Sequence, residues 1–439
     1  MTVKRIERLT RKPLVPFGKP NLGLQSEFLR RNDRNRRFVE LIFDKLAYTC
    51  QNNISALGCR FLKIPRNDNA YPGRIILLEI ISIEILAKES SMENAAAFVL
   101  ENRKMEIRPT TMPVCGEDEV LVEMGYVGIC GSDLHFYSIG EPDFPDVYPF
   151  SPGHELAGEI VEVGRQVTGL KVGDRVALEP GIPCRRCEWC KQGRYNLCAN
   201  VKFMSYPRTQ GGLRKYVAHP ADLCFKLPDS LSTLEGALVE PLAVGLFATT
   251  GCGIQIGKKA AIIGAGAIGL VTLLSLRAMG VEEIAIVDVV DNRLQKAKEL
   301  DATYVINGSK TDIVKEVKES FAGMGPDYVF ECAGNIKTAS QTIYMAKRGG
   351  TVLIVGNVVG QTPINFQLCV DKNLTIRTTF RYCNVFPTAI EAIASGRINV
   401  KQIVSNEFEF KDSMHAFETS LTQKQSLIKG VIKVAGSSL

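Results

Sequence analysis

Two textures of apolar and polar positions follow one another along the chain. After Met92, apolar residues come in short runs broken by turns. Glu119–Val127 and Ala157–Val163 read as β-strands, and Val172-Gly173-Asp174 as a turn. From about Lys258 the pattern changes to apolar strands at Ala260–Ile263, Ile284–Val287, Tyr304–Ile306, Tyr328–Glu331 and Thr351–Val355. Helices lie between them, as at Ala267–Met279 and Asn292–Leu300. Short, wholly apolar strands alternating with helices are the form of a parallel sheet covered on both faces. A helix at Pro387–Ser395 and a strand at Gly430–Val434 close the chain. The pattern therefore predicts an α/β protein: a β-rich part, then a doubly wound parallel sheet.

A length of 439 residues suits two domains with separate cores, and 45% apolar with 23% charged residues is a globular composition. The net charge of +6 is unevenly placed. Residues 1–91 hold 17 Lys/Arg against 9 Asp/Glu, which leaves 36 against 38 in the remainder. The body thus has no bias toward nucleic acid or an anionic membrane. The arginine run Arg30–Arg37 has no accompanying reading helix and reads as a solvated segment. Ile75–Ala87 is apolar but too short for a bilayer, which needs about 20 residues, and Glu79 and Glu84 interrupt it. Residues 1–91 are predicted to be a disordered or non-native extension, with translation starting at Met92. Thirteen cysteines without a secretory signal point to a reducing, cytoplasmic setting, where thiols pack or bind metal.

Gly264-Ala265-Gly266-Ala267-Ile268-Gly269 follows an apolar strand and opens a helix. Gly264 permits the tight turn, Gly266 lets backbone approach a pyrophosphate, and Gly269 lets helix pack on strand. The helix N-terminus offers free N–H groups to phosphate. Asp288 ends the next strand, placed to bond both ribose hydroxyls and repel a 2′-phosphate, which favours NAD over NADP. Arg293 is the residue that could accommodate that phosphate. Further cofactor contacts are expected at Val355, Gly356, Thr379 and Phe380.

Two metal sets are legible. Cys184-x2-Cys187-x2-Cys190-x7-Cys198 can wrap one tetrahedral Zn²⁺ with no open position, so that zinc is structural. Arg185, Arg186 and Lys191 would offset its charge. The competing reading is a disulfide pair or a chance cluster. The second set is dispersed: Cys130, His154, Glu155 and, farther on, Glu240. If Cys, His and carboxylate meet, they form a three-ligand zinc site with a fourth position open for chemistry. Spacing alone does not bring them together.

These residues resemble the zinc-dependent medium-chain alcohol dehydrogenase superfamily, and within it the sorbitol (polyol) dehydrogenase family. The resemblance runs from about Lys104 to Val434. It passes through Gly-Ile-Cys-Gly-Ser-Asp-x-His (128–135), Pro-Gly-His-Glu (152–155), Gly-x-Tyr-Asn-Leu-Cys (193–198), Gly-Ala-Leu-Val-Glu-Pro-Leu-Ala-Val-Gly (236–245), the glycine fingerprint and Phe-Arg-Tyr-Cys-Asn (380–384). It implies a GroES-like catalytic domain over 92–240, completed by 381–439, and a Rossmann NAD-binding domain over 241–380. It assigns Cys130, His154 and Glu155 to catalytic zinc and places Glu240 beside the metal and substrate. Arg381 and Tyr382 look like substrate-hydroxyl contacts. Ser132 and His135 look like the proton relay, with Glu155 or Glu240 as the competing route. Phe136 stands where animal sorbitol dehydrogenases carry a substrate-touching tyrosine. The complete four-cysteine lobe resembles microbial or plant members.

The implied function is zinc-dependent, NAD-linked oxidation of a secondary alcohol of a polyol of the sorbitol, xylitol or L-iditol type to the ketose, by a homodimer or homotetramer. The alternatives are the same chemistry on threonine, butanediol or galactitol, or a non-enzymatic relative. Retention of Cys130, His154, Glu155 and Ser132 speaks against the last. A 92–439 chain is expected to keep the melting temperature and activity of the 439-residue protein, checked by calorimetry and initial rates. Intact-mass measurement of the native protein is expected to show no species beginning before Met92.

Overall fold

The computed structural model describes residues 93–139, 147–206 and 208–436. The expectations for residues 1–91, their arginine run and Ile75–Ala87 included, lie outside the described residues. The β-rich part opens with the antiparallel pair β1 (Asn94–Leu100) and β2 (Lys104–Thr110). It continues with β3 (Glu119–Gly128), β4 (Glu155–Val163), β5 (Arg175–Leu178), the short pair β6 (Gly181–Ile182) and β7 (Lys202–Phe203), β8 (Tyr216–Pro220) and β9 (Cys224–Lys226).

The parallel strands follow: β10 (Ala260–Ile263), β11 (Ile284–Asp288), β12 (Tyr304–Asn307), β13 (Tyr328–Glu331), β14 (Thr351–Ile354) and β15 (Thr375–Thr378). They form one sheet in the order β12-β11-β10-β13-β14-β15, every pair parallel. Its two faces alternate with period two, as a pleated strand requires. Ala260 and Ile262 face one apolar cluster, with Leu270, Phe330 and Phe386. Ala261 and Ile263 face another, with Val329, Ile313 and Val317. The expected elements shift by a residue or two at their ends. Thr351–Val355 stops at Ile354, and the helix expected at Asn292–Leu300 spans Asp291–Glu299. Terminal hydrogen bonds, not hydrophobicity, set those limits.

After β15 the chain returns. β16 (Asn406–Glu409) and β17 (Gly430–Lys433) join the β-rich sheet, whose order is β16-β17-β3-β4-β5-β9 with β8 on β3. β17 runs antiparallel to β3, Ile432 opposite Val127. The position expected to divide the domains, 240/241, falls in the first turn of the helix Val239–Gly251. Pro241 is tolerated there because first-turn N–H groups have no intrahelical partner. This helix packs against Ala267–Ala278, the helix that opens at the glycine fingerprint.

Phe330 is fully buried in the middle of the parallel sheet. Phe330→Ala is expected to cost about 3–5 kcal/mol through lost burial and the cavity left behind, read as a lower midpoint of denaturant unfolding.

Candidate active site

The dispersed set does meet. Ligand atoms of Cys130, His154 and Glu155 all lie within 4.8 Å of one another. Cys130 precedes the helix Gly131–Ile139, and His154-Glu155 lies at the start of β4. Glu155 is buried against Gly128 on the neighbouring strand, where any Cβ would clash with the carboxylate.

Asp133 organises this cluster, and no role was read for it in the sequence. Its wholly buried carboxylate accepts from Cys130 N (3.2 Å), Gly153 N (3.3 Å) and the Ser205 hydroxyl. The Cys130 bond is half of a capping box, the third helical residue reaching back to the N-cap amide. Asp133 Oδ1 also lies 3.4 Å from His154 Nδ1, an electrostatic pairing without hydrogen-bond geometry. That leaves Nε2 as the ring nitrogen for a metal, with a carboxylate behind the imidazole, as metal-binding histidines commonly have. Burial opposes charge on both partners. It is outweighed: Asp133 is held below the usual carboxylate range, chiefly by His154, and His154 well above the usual imidazole range, by Asp133 and Cys130.

Lys429 is the second residue that sequence reasoning missed. Its buried ammonium donates to Glu155 Oε1 and to Ile129 O (2.9 Å), 274 residues of chain separating it from Glu155. Burial would lower its pKa, but Glu155 and Cys130 raise it above the usual lysine value. The signal available was a single lysine in the otherwise apolar approach to the last strand, Leu427-Ile428-Lys429-Gly430.

Glu240 is 6% exposed and is not one of the three clustered ligands. Burial pushes its carboxyl up to about 7, against the pull of His154. It accepts a 2.7 Å hydrogen bond from the Tyr382 hydroxyl. The Arg381 guanidinium stacks over Phe203, 4.2 Å from the ring centroid, and over Phe380 at 4.7 Å. Phe203 in turn lies 5.4 Å from the His154 ring. Arg381 Nη1 is buried without a hydrogen-bond partner, a donor held ready for a ligand oxygen. Ser132 and His135 are both exposed on the helix Gly131–Ile139, and no hydrogen bond among the described residues joins them. Phe136 is turned inward, its ring 5.9 Å from those of Phe150 and Tyr206.

Cys184, Cys187, Cys190 and Cys198 form the other cluster. The Sγ–Sγ separations of 3.4 Å (Cys187–Cys190) and 4.0 Å (Cys184–Cys190) exclude a disulfide between these pairs. They bracket the roughly 3.8 Å edge of a tetrahedron with about 2.3 Å zinc–sulfur bonds. Backbone N–H groups of Arg186 and Cys187 lower the Cys184 thiol to about 6. Arg185 does not offset the thiolates as expected. It spends its guanidinium on Asp222, at 2.6 and 3.1 Å, because a fixed carboxylate pairs with both arms of the fork.

The fingerprint lies at the carboxyl end of β10, beside β13, where the strand order reverses and such sheets bind nucleotides. Gly264 has φ +102°, and a Cβ on Gly269 would strike Gly264 O. Asp288 is fixed by three backbone donors: Ala265 N (2.7 Å), Val289 N (2.8 Å) and Val290 N (2.9 Å). A Cβ on Gly266 would lie 3.9 Å from Arg293 Nη1, so that guanidinium borders the turn. Ile268 is in the first helical turn, Val355 and Gly356 follow β14, and Thr379 and Phe380 follow β15.

Residues 116–229 match the alcohol dehydrogenase GroES-like domain, and residues 267–395 the zinc-binding dehydrogenase domain. The chain is 45% identical over 351 residues to an uncharacterised zinc-type alcohol dehydrogenase-like protein, YdjJ, of Escherichia coli, covering 78% of this chain and all of that one. It is 40% identical to the sorbitol dehydrogenase of Rattus norvegicus over 76% of this chain and 95% of that protein. A zinc-binding dehydrogenase of Sinorhizobium meliloti, solved bound to NADP, superposes with a TM-score of 0.73 at 29% identity, over 78% of this chain and all of that one. With the fold, both cysteine-containing clusters and these relatives in agreement, the chain belongs to the zinc-dependent medium-chain alcohol dehydrogenase superfamily, in its sorbitol dehydrogenase family.

Proposed function

We propose that this zinc-type alcohol dehydrogenase oxidises a secondary hydroxyl of a polyol to the ketone with NAD as acceptor. The observation that carries the reading is the group of hydrogen-bonding side chains around the three-ligand cluster: Glu240 paired with Tyr382, and Arg381 with an unsatisfied buried donor. Such groups reward a chain bearing several hydroxyls and penalise an apolar alcohol, which would leave them unpaired.

Cys130, His154 and Glu155 would hold a zinc ion, which when bound would supply Lewis-acid chemistry toward the substrate hydroxyl. Asp133 fixes the His154 ring, and Lys429 holds the Glu155 carboxylate. Tyr382, Arg381 and Glu240 orient the substrate hydroxyls. The proton leaves through Ser132 and His135, which reach solvent, with Glu240 as the competing acceptor because its raised pKa lets it take a proton near neutrality. The glycine turn at the β10/β13 crevice would hold NAD, which when bound would supply the hydride acceptor. Asp288, fixed by backbone donors, excludes a 2′-phosphate despite Arg293. A homo-oligomer is supported by the exposed Phe366, Val370 and Ile376 on and just before the edge strand β15. Cytoplasmic localisation accords with the free thiols, and no helix among the described residues is long and apolar enough to cross a membrane.

An initial-rate panel of sorbitol, xylitol, galactitol, threonine and 2,3-butanediol with NAD and NADP tests the reading. A polyol is expected to give the highest kcat/KM, and a preference for threonine or butanediol overturns it. Elemental analysis is expected to find close to two zinc ions per chain, one removed by chelation with loss of activity and one retained. His154→Ala and Cys130→Ser are expected to abolish turnover while NAD binding, measured calorimetrically, survives. NAD is expected to be preferred over NADP, and Asp288→Ser to erode that preference, read as the ratio of kcat/KM values.

A further inference from the structure

The segment that carries Arg381 and Tyr382 has an unusual backbone. Arg381 (φ +54°) and Asn384 (φ +59°) both adopt the left-handed conformation. Non-glycine residues are held there only where their surroundings fix them. The fixing contacts come from the four-cysteine lobe. Asn196, 8% exposed, donates through Nδ2 to Phe380 O at 3.0 Å. Asn384 N donates to the Tyr195 hydroxyl at 2.8 Å, and Asn384 Nδ2 to Gly193 O at 2.8 Å. Tyr195 is itself held by donating to the buried Glu179 at 3.1 Å. One of these hydrogen bonds therefore falls on the residue before Arg381 and two on the second strained residue, so both ends of the segment are tied.

Packing holds Tyr382, Val385 and Phe386 in the apolar core but does not fill the side of the segment that faces the lobe. A cavity of about 430 Å³ lies between the lobe and the end of β15, lined in part by Arg194, Asn196, Leu197, Thr379, Phe380 and Cys383. The polar ties at its margin are what join the two segments. A lobe closed around four sulfurs is rigid without a large apolar core of its own, which makes it a fixed point for a strained segment whose ends, Phe380 and Asn384, are exposed.

We propose that residues 193–198 of the lobe are positioning residues for substrate. Tyr195 and Asn196 hold Phe380–Asn384 in the left-handed geometry that presents Arg381 and Tyr382 to the bound hydroxyls. The lobe is then part of substrate recognition as well as a brace. The inference rests on the reading of Arg381 and Tyr382 as substrate contacts, so its test separates the two.

Asn196→Ala, Tyr195→Phe and Asn384→Gly are compared with Arg381→Met in the full chain, with sorbitol and NAD as the probes. Asn384→Gly keeps the left-handed backbone accessible and removes only the bond to Gly193, so it keeps the test open should a buried-site variant fold poorly. Losing one of these hydrogen bonds is expected to raise the sorbitol KM about tenfold, with kcat and the NAD KM within about twofold of the parent. Hydrogen exchange of the Phe380–Asn384 amides is expected to quicken in Asn196→Ala and Tyr195→Phe before any substrate is added. Sorbitol KM or amide exchange unchanged in the lobe variants, while Arg381→Met raises the KM, overturns the inference and leaves the substrate reading standing. Sorbitol KM unchanged in Arg381→Met overturns both.

Discussion

The candidate active site of this protein depends on burying several ionisable groups together. Asp133, His154, Glu155, Glu240 and Lys429 are all less than a tenth exposed, with Cys130 beside them. An isolated charge in such surroundings costs several kcal/mol, so each group tolerates burial only while its partner is present. Asp133 needs His154, and Glu155 needs Lys429. Those pairs join the first helix of the β-rich part, the start of β4 and the segment just before β17. The return of the chain to pair β17 with β3 is thus an electrostatic requirement as well as a packing one. It carries the only cation that contacts Glu155 among the described residues.

The same arrangement gives the donor set its character. His154 has a carboxylate behind it and Glu155 an ammonium beside it, so both are oriented before any metal arrives. A cluster organised in this way binds metal with little reorganisation, the property that second-layer hydrogen bonds confer on catalytic sites. Glu240 is different. It stands at the first turn of a helix that leads into the nucleotide-binding sheet, and its partner Tyr382 follows that sheet's last strand. The candidate site therefore lies where elements of both sheets converge, with the Cys130, His154 and Glu155 cluster beside one and the glycine fingerprint on the other.

Much of this was legible in the chain. Five of the six parallel strands announced themselves as short, largely apolar runs, as in Ala260–Ile263; the edge strand β15, Thr-Ile-Arg-Thr and exposed throughout, carried no such signal. The four-cysteine lobe and the glycine fingerprint were legible because their geometry is local. Four thiols within 15 residues can reach one ion without help, and a turn between strand and helix is fixed by its own glycines. Asp133 lay inside a recognised motif, at capping-box spacing from Cys130, yet its function depends on His154, which the motif does not contain.

What only the tertiary structure decided are the contacts between residues remote in sequence. Lys429 is one lysine among many until β17 brings it to Glu155. Asn196 is a polar residue in the short 3-10 turn Tyr195–Leu197 until Phe380 O is found within its reach. Arg185 looked like a counter-charge for the thiolates until Asp222 proved to be its partner. Local spacing determines turns, helix caps and clustered ligands, because their geometry is set by a few backbone dihedrals. Pairing across 142 residues, as between Glu240 and Tyr382, or across 274, as between Glu155 and Lys429, is set by how the sheets close on one another, and no short stretch of sequence encodes that.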